Sequence, residues 1–452
     1  MKALVIGAGP DGLVAAHLLA RAGHEVSVID ETGAAGRGTG ATAGDAGWVP
    51  PGIAQELGLR LEVRLPDPWL TVALPAGGEL SLYRDVARSA ESLRRVSPHD
   101  AAQWPDFCRR MARLAALFES LYDAPAPTPT SMGLALKVRR LGRQGMEDLM
   151  RVLPMSVAEL LDDWFESDAL KGALGAMGIL HLQQGPRSAG TAFRLVHHHV
   201  GSAEGVFRPP RSNLHPVLRA RPGITVIAGQ VTNIACSGGR VSAVTLVRGE
   251  EIPASLVVSS VDPRRTLLEL ADPLWLDPEL ARALTHVRRR GVVARLVLKG
   301  LPAANLAVAP SLDYLERAYD ESKYGRVSAS PYLDTSFGDV LFQFAPYERA
   351  DGPWDAARRD ELAAIARRLL PGAGEGLALA PPDLEAQEGW PQGQAYHAEL
   401  ALDQALWMRP LPELARYRTP IEGLWLCGPG THPGGGIPGA SGANCAREIL
   451  AK

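Results

Sequence analysis

The first thirty residues constrain the fold of this 452-residue chain more than any other stretch. An apolar run at 3–6 meets Gly7-Ala8-Gly9-Pro10-Asp11-Gly12. A segment at 13–22 follows with apolar residues on nearly every helical face, then Gly23 and a second apolar run at 26–29. That order predicts strand, tight turn, helix, glycine cap and strand, a βαβ unit. The glycine spacing has a physical reason at each position. Gly7 permits the sharp turn, Gly9 lets backbone N–H groups approach a pyrophosphate, and Gly12 lets the helix pack on the strand, while the helix N-terminus favours phosphate charge. Asp30 ends the second strand 18 residues beyond Gly12, where a carboxylate accepts hydrogen bonds from a ribose hydroxyl, and Glu31 beside it is a second candidate. The unit reads as dinucleotide-binding.

The length exceeds what one hydrophobic core serves, so a second lobe is expected. With 46% apolar and 21% charged residues the chain can bury a sizeable core. A net charge of −3 gives no basic excess for nucleic acid. Four cysteines without CxxC spacing suit a reducing, cytoplasmic setting. Residues 1–22 superficially resemble a signal peptide, but the glycine turn interrupts them, and no window is apolar enough to span a bilayer. Six glycines between 33 and 47, followed at once by Trp48 and Val49, predict a packed loop. Helix-rich sequence fills 86–122 and 131–182, with helices read at 104–122 and 157–170. Strand character returns at 225–228, 241–247 and 255–259 as a small meander, then at 292–298, 339–344 and 423–427. Lys137, Arg139, Arg140 and Arg143, interleaved with Met132, Leu134, Leu136, Met146 and Leu149, outline a basic amphipathic helix for a lipid surface or a partner, with a solvated face as the plainer reading.

The strand at 423–427 runs into Gly428-Pro429-Gly430-Thr431-His432-Pro433-Gly434-Gly435-Gly436-Ile437-Pro438-Gly439-Ala440 and then a helix at 442–450. Such a corner, bare of side chains, can lie against a flat ring, and the helix N-terminus near Pro438 and Ala440 favours negative charge on it. Together with the N-terminal fingerprint and Val257-Val258-Ser259-Ser260-Val261-Asp262-Pro263-Arg264-Arg265, this segment resembles the phytoene dehydrogenase-like flavoproteins, related to the flavin amine oxidases and glutathione-reductase-type FAD domains.

The resemblance implies an α/β fold: a Rossmann-like FAD-binding domain with a parallel sheet and a β-meander, assembled from 1–66, 215–290 and 414–452. The segments 67–214 and 291–413 would form a mixed α+β substrate domain with a helical insertion. It implies FAD held at its pyrophosphate by Gly7, Gly9, Pro10, Asp11 and Gly12 and at its ribose by Asp30, with the Val231 backbone facing adenine. Gly428, Pro429, Gly430, Gly436, Ile437, Pro438, Gly439 and Ala440 would line the ribityl chain and flavin. The sequence departs from the family at 36–38, where Gly36 and Arg37 replace a Gly-Gly pair and Arg37 is a candidate phosphate ligand. It also departs at 211–220, where only a short helix remains.

The implied activity is dehydrogenation or isomerisation of an apolar, carotenoid-like polyene with flavin N5 as acceptor. An amine oxidase and a non-catalytic flavin-binding scaffold are the alternatives. His432 is the one candidate for catalytic proton handling, against a structural hydrogen bond. The run His197, His198 and His199 has no Cys or carboxylate at ligand spacing, so no metal is assigned. Tyr396 and His397 could reach a pocket from the second lobe, with a surface strand as the plainer reading. A GxSxG elbow and a P-loop are absent.

Overall fold

A computed structural model describes residues 2–31, 47–74, 77–301, 305–336 and 339–451. Gly36 and Arg37 lie outside the described residues, as does all of the glycine-rich loop except Gly47. Five parallel strands form the central sheet in the order Leu424–Leu426, Leu256–Ser259, Lys2–Ile6, Glu25–Asp30, Thr225–Ala228. Ile6 stands opposite both Ile29 and Ser259, so the first strand is the middle one and every residue from Ala3 to Ile6 is buried. The side chains divide by the two-residue period of a strand. Ala3 and Val5 face the helices Pro10–Arg21 and Ala440–Leu450, whereas Leu4 and Ile6 face an antiparallel three-stranded meander, Val231–Ser237, Arg240–Leu246 and Glu251–Pro253. The strands at 225–228 and 256–259 belong to the parallel sheet, so the meander is the part between them.

A second, seven-stranded sheet runs Gly376–Leu379, Val293–Leu298, Asp339–Gln343, Leu333–Ser336, Leu306–Val308, Leu70–Ala73, Glu79–Leu82. Between the sheets in sequence lies the helical insertion. Its longest helix, Pro98–Tyr122, starts where Ser97 accepts the Asp100 N–H and Pro98 occupies the first turn. Its far end delivers Leu121 and Tyr122 to the C-terminal glycine segment.

Two helices predicted as continuous are each broken. The stretch read at 157–170 divides into Val157–Asp162 and Asp168–Ile179. Asp100 causes the break: its buried carboxylate accepts the N–H groups of Glu166 and Ser167 at 2.9 and 3.0 Å, and Ser167 then caps the second helix. The basic stretch forms Met132–Arg139 and Gly142–Val152, separated at Gly142, whose φ is +70°. Met132, Leu136, Met146 and Met150 remain exposed beside Arg139, Arg140 and Arg143, while Lys137 turns back to donate to the Ser120 carbonyl at 2.6 Å. No helix among the described residues is long and apolar enough to cross a membrane.

Candidate cofactor and substrate site

The N-terminal turn has the predicted construction. Gly7 adopts φ +96°, and a Cβ there would stand 2.4 Å from Ser260 Oγ. That hydroxyl donates toward the carbonyls of Ile6 and Gly7 at 2.9 and 3.2 Å, so the end of the next parallel strand fastens the turn. A Cβ on Gly12 would strike the Gly7 carbonyl at 2.1 Å, which accounts for the third glycine of the fingerprint. Gly9 differs from both: nothing lies within 4 Å of its would-be Cβ, and it caps the first helix with φ −70° and ψ 172°. Open space thus fronts a helix N-terminus whose first N–H groups lack intrahelical partners. His215, from the short helix Leu214–Ala220, places Nε2 3.0 Å from the Ala8 carbonyl and supports the turn from behind.

Pro10 occupies the first helical position, where its missing N–H costs nothing. Asp11, next in the same turn, points away from the space before Gly9 and toward the N-terminus of Ala440–Leu450, with Oδ1 3.4 Å from the Gly442 nitrogen. Burial pushes its carboxyl up to about 7, against the lowering effect of the N–H groups of Gly442, Gly439 and Ser441. Asp11 therefore joins the two helices that cover one face of the sheet.

The two candidate ribose acids are both ion-paired. Asp30 Oδ2 meets Arg219 Nη2 at 2.6 Å. Glu31 meets both terminal nitrogens of Arg265 at 2.8 and 3.1 Å, and its Oε1 accepts the Val231 N–H at 3.0 Å. Glu31 thereby bridges the sheet and the meander, with the Val231 N–H as one of its partners. Asp30 is buried at the end of the second strand.

The C-terminal segment has few side chains of its own, and other parts of the chain hold it by its carbonyls. Arg409 donates to the Pro429 oxygen through Nε and Nη2 at 3.1 and 2.6 Å. The Tyr417 hydroxyl donates to the His432 oxygen at 3.0 Å, His197 Nε2 meets the Gly435 oxygen at 2.9 Å, and the Trp48 N–H meets the Gly436 oxygen at 3.1 Å. Because a carbonyl can only accept, His197 carries its proton on Nε2, and its Nδ1 accepts the Tyr122 hydroxyl at 2.9 Å. The glycines are sterically required where this segment is crowded. A Cβ on Gly435 would stand 1.7 Å from Tyr396 Cδ1, and one on Gly428 2.3 Å from the Ser260 carbonyl. Gly430 passes Pro263 and His397, Gly439 passes Val14, and Ile437 and Ala440 are buried, with Pro438 at the corner between them.

His432, the candidate proton carrier, is fully buried, with Nε2 3.1 Å from the Leu121 carbonyl and its ring edge-on to Tyr122. Burial lowers its pKa to about 4, so it is neutral. This geometry is that of a structural hydrogen bond between the long helix and the glycine segment. The adjacent histidines of the run diverge in the same way: His198 Nδ1 donates to the Met177 carbonyl at 2.7 Å and His199 Nδ1 to the Val206 carbonyl at 2.6 Å. Among the described residues the one grouping with metal-ligand spacing is His99, Asp100 and Glu166. There Asp100 is occupied as a helix cap. Arg219, Arg265, Arg409, Tyr417 and Tyr122 were missed by sequence reasoning, since each acts on a residue distant in the chain. Arg219, Arg265 and Tyr122 lay within stretches already singled out, but without these roles.

A family model described as FAD dependent oxidoreductase matches residues 2–390, and the chain belongs to that family. Pyridine nucleotide-disulfide oxidoreductase domain-containing protein 2 of Rattus norvegicus is 27% identical, over 99% of this chain and 93% of that protein. The neurosporene-forming phytoene desaturase of Rhodobacter capsulatus is 24% identical, over 100% and 93%. Wild-type putrescine oxidase solved with putrescine superposes over 100% of both chains with a TM-score of 0.58 at 18% identity, a likeness of fold. The protein is thus an FAD-dependent oxidoreductase, and the open helix N-terminus at Gly9 suits the charged part of that cofactor.

Two outcomes follow from this geometry. Gly9→Val fits the apoprotein, because the added atoms enter open space from an ordinary backbone conformation. It should abolish FAD retention while leaving far-UV circular dichroism unchanged, and wild-type flavin stoichiometry in the variant would contradict the site. Asp11 has its folded pKa raised from 3.8 to about 7, so its contribution to stability is fully present below about pH 4 and is lost as pH rises through about 7. The thermal midpoint of the wild type relative to Asp11→Asn should therefore fall between pH 5 and pH 8, and parallel curves would refute the burial argument.

Proposed function

We propose that the enzyme dehydrogenates or isomerises an apolar, polyene-like substrate bound against the glycine segment. The observation that carries this reading is the character of the surroundings. Ile437 and Ala440 belong to the same continuous apolar cluster as Phe118, Phe193, Met177 and Leu400, formed by the helices of the insertion and the 396–406 stretch. The imidazoles nearby are held neutral by burial: His181 and His397 to about 3, His432 to about 4, and His197 well below its ordinary value. Bound FAD supplies the two-electron acceptor for a C–H bond, and a quinone or oxygen is the class of reagent that takes those electrons onward. The chain's own work is positional. Gly7 and the turn through Gly12 would hold the pyrophosphate and Asp30 the ribose. Gly428, Pro429, Gly430, Gly436, Ile437, Pro438, Gly439 and Ala440 would back the ribityl chain and the flavin. The phytoene desaturase among the relatives supports the polyene class. An amine oxidase remains the alternative, to be separated by the titration below.

Membrane contact through 132–150 belongs to the same proposal, since a polyene must be drawn from lipid. Exposed Met132, Leu136, Met146 and Met150 beside three exposed arginines suit an anionic lipid surface.

Anaerobic titration of the purified protein with a carotenoid precursor in liposomes should bleach the flavin absorption, while a long-chain amine should not. Bleaching by the amine alone would move the enzyme to the oxidase class, and no bleaching by either would favour the scaffold. Replacing Arg139, Arg140 and Arg143 by Gln should weaken sedimentation with phosphatidylserine liposomes several-fold, and unchanged sedimentation would return these helices to a solvated surface role.

A further inference from the structure

Three arginines among the described residues are buried, and two of them have their charge met, one by a carboxylate and one by a cage of carbonyls. Arg208 makes a two-pronged pair with Asp334 at 3.0 and 2.5 Å, with its Nε left unbonded. Arg409 makes six hydrogen bonds to the carbonyls of Tyr396, Ala398, Glu399, Gln404 and Pro429. Arg194 is the exception. Its Nη2 reaches the Leu180 carbonyl at 3.2 Å and His198 Nε2 at 2.8 Å, but its Nε and Nη1 have no hydrogen-bond partner, although the residue is 0% exposed. Among the described residues no carboxylate pairs with it. Burial disfavours its charge, opposed by the hydroxyls of Tyr396 and Tyr122, and a second buried cation, Arg409, acts with it to lower His197 further. A guanidinium remains protonated in such surroundings, and an uncompensated buried charge is among the costliest features a core can carry.

The position of this cation gives it meaning. Arg194 lies one helical turn before His197, whose Nε2 bonds Gly435. Its guanidinium stands 5.3 Å from the centre of the Tyr396 ring, the same ring that a Cβ on Gly435 would strike. His181, neutral and at a ring distance of 5.0 Å, faces Tyr396 as well. The guanidinium thus stands beside the ring that packs on Gly435, and its helix neighbours Phe193 and Leu195 belong to the same apolar cluster as that ring.

We propose that the substrate carries an oxyanion head group, a carboxylate or a phosphate, that pairs with Arg194 while its apolar remainder lies in the surrounding cluster. This rests on the apolar-substrate reading and narrows it from a pure hydrocarbon to an apolar acid. The anion satisfies Nε and Nη1 and supplies the missing counter-charge, and a neutral hydrocarbon does neither.

The test titrates the FAD-loaded full chain with decanoate, decyl phosphate and decanol, following perturbation of the flavin absorption. At least one oxyanion should saturate at a concentration ten-fold or more below decanol, and the tighter of the two identifies the head group. Arg194→Gln should remove that preference at unchanged FAD stoichiometry, and Arg194→Lys should retain part of it. Equal saturation by decanol, no perturbation by either oxyanion, or an undiminished preference in Arg194→Gln overturns the proposal. If Arg194→Gln does not fold, the wild-type comparison decides alone. Bleaching by a neutral polyene without a head-group preference would preserve the apolar reading and sink this one, whereas an oxyanion preference without polyene bleaching would do the reverse.

Discussion

A chain segment with almost no side chains cannot hold its own position, and the proposed flavin site in this protein is built on such a segment. Residues 428–439 contain six glycines, so packing alone leaves the backbone under-determined. The fold answers with donors aimed at the carbonyls of Pro429, His432, Gly435 and Gly436, supplied by Arg409, Tyr417, His197 and Trp48. Arg409 and Tyr417 come from one stretch of the chain, His197 and Trp48 from two others. The platform therefore takes its shape only when the helical insertion, the 396–417 stretch and the segment before the helix Pro51–Leu57 have all assembled, and it ties them to one another in return.

The same arrangement explains why so many polar groups are buried here without forming an acid–base pair. Tyr122, His197 and the Gly435 carbonyl form a directed chain in which each proton has one available place. His432 and His198 likewise give their protons to main-chain carbonyls. Burial removes charge from these imidazoles, and their bonds remove their freedom to turn toward a substrate. They are positioning residues, and the chemistry falls to the cofactor that the family binds.

The parts of this design that were legible in the sequence are those whose physics is local. Gly7, Gly9 and Gly12 act within one turn, and the strand and helix that flank them carry their own periodicity. The glycines at 434–436 were legible because the absence of side chains is itself visible in a sequence. What could not be read is pairing across distance. Nothing near Asp30 or Glu31 announces Arg219 or Arg265, nor the bond from the Val231 N–H to Glu31, which spans 200 residues. The helix predicted across 157–170 fails for the same reason, since Asp100, 66 residues before Glu166, takes the N–H groups that would have continued it. Arg409 looked like any other arginine in a chain rich in them.

The measurement closest to the central claim is the electron density of the FAD-saturated protein in a crystal. The account predicts the pyrophosphate oxygens within hydrogen-bond distance of the backbone at Gly9 in the first helical turn. It also predicts the isoalloxazine ring against the backbone of 434–437, with the carbonyl bonds from Arg409, His197 and Tyr417 intact. A ring located away from that segment, or a platform whose carbonyls are released when the cofactor binds, would contradict it.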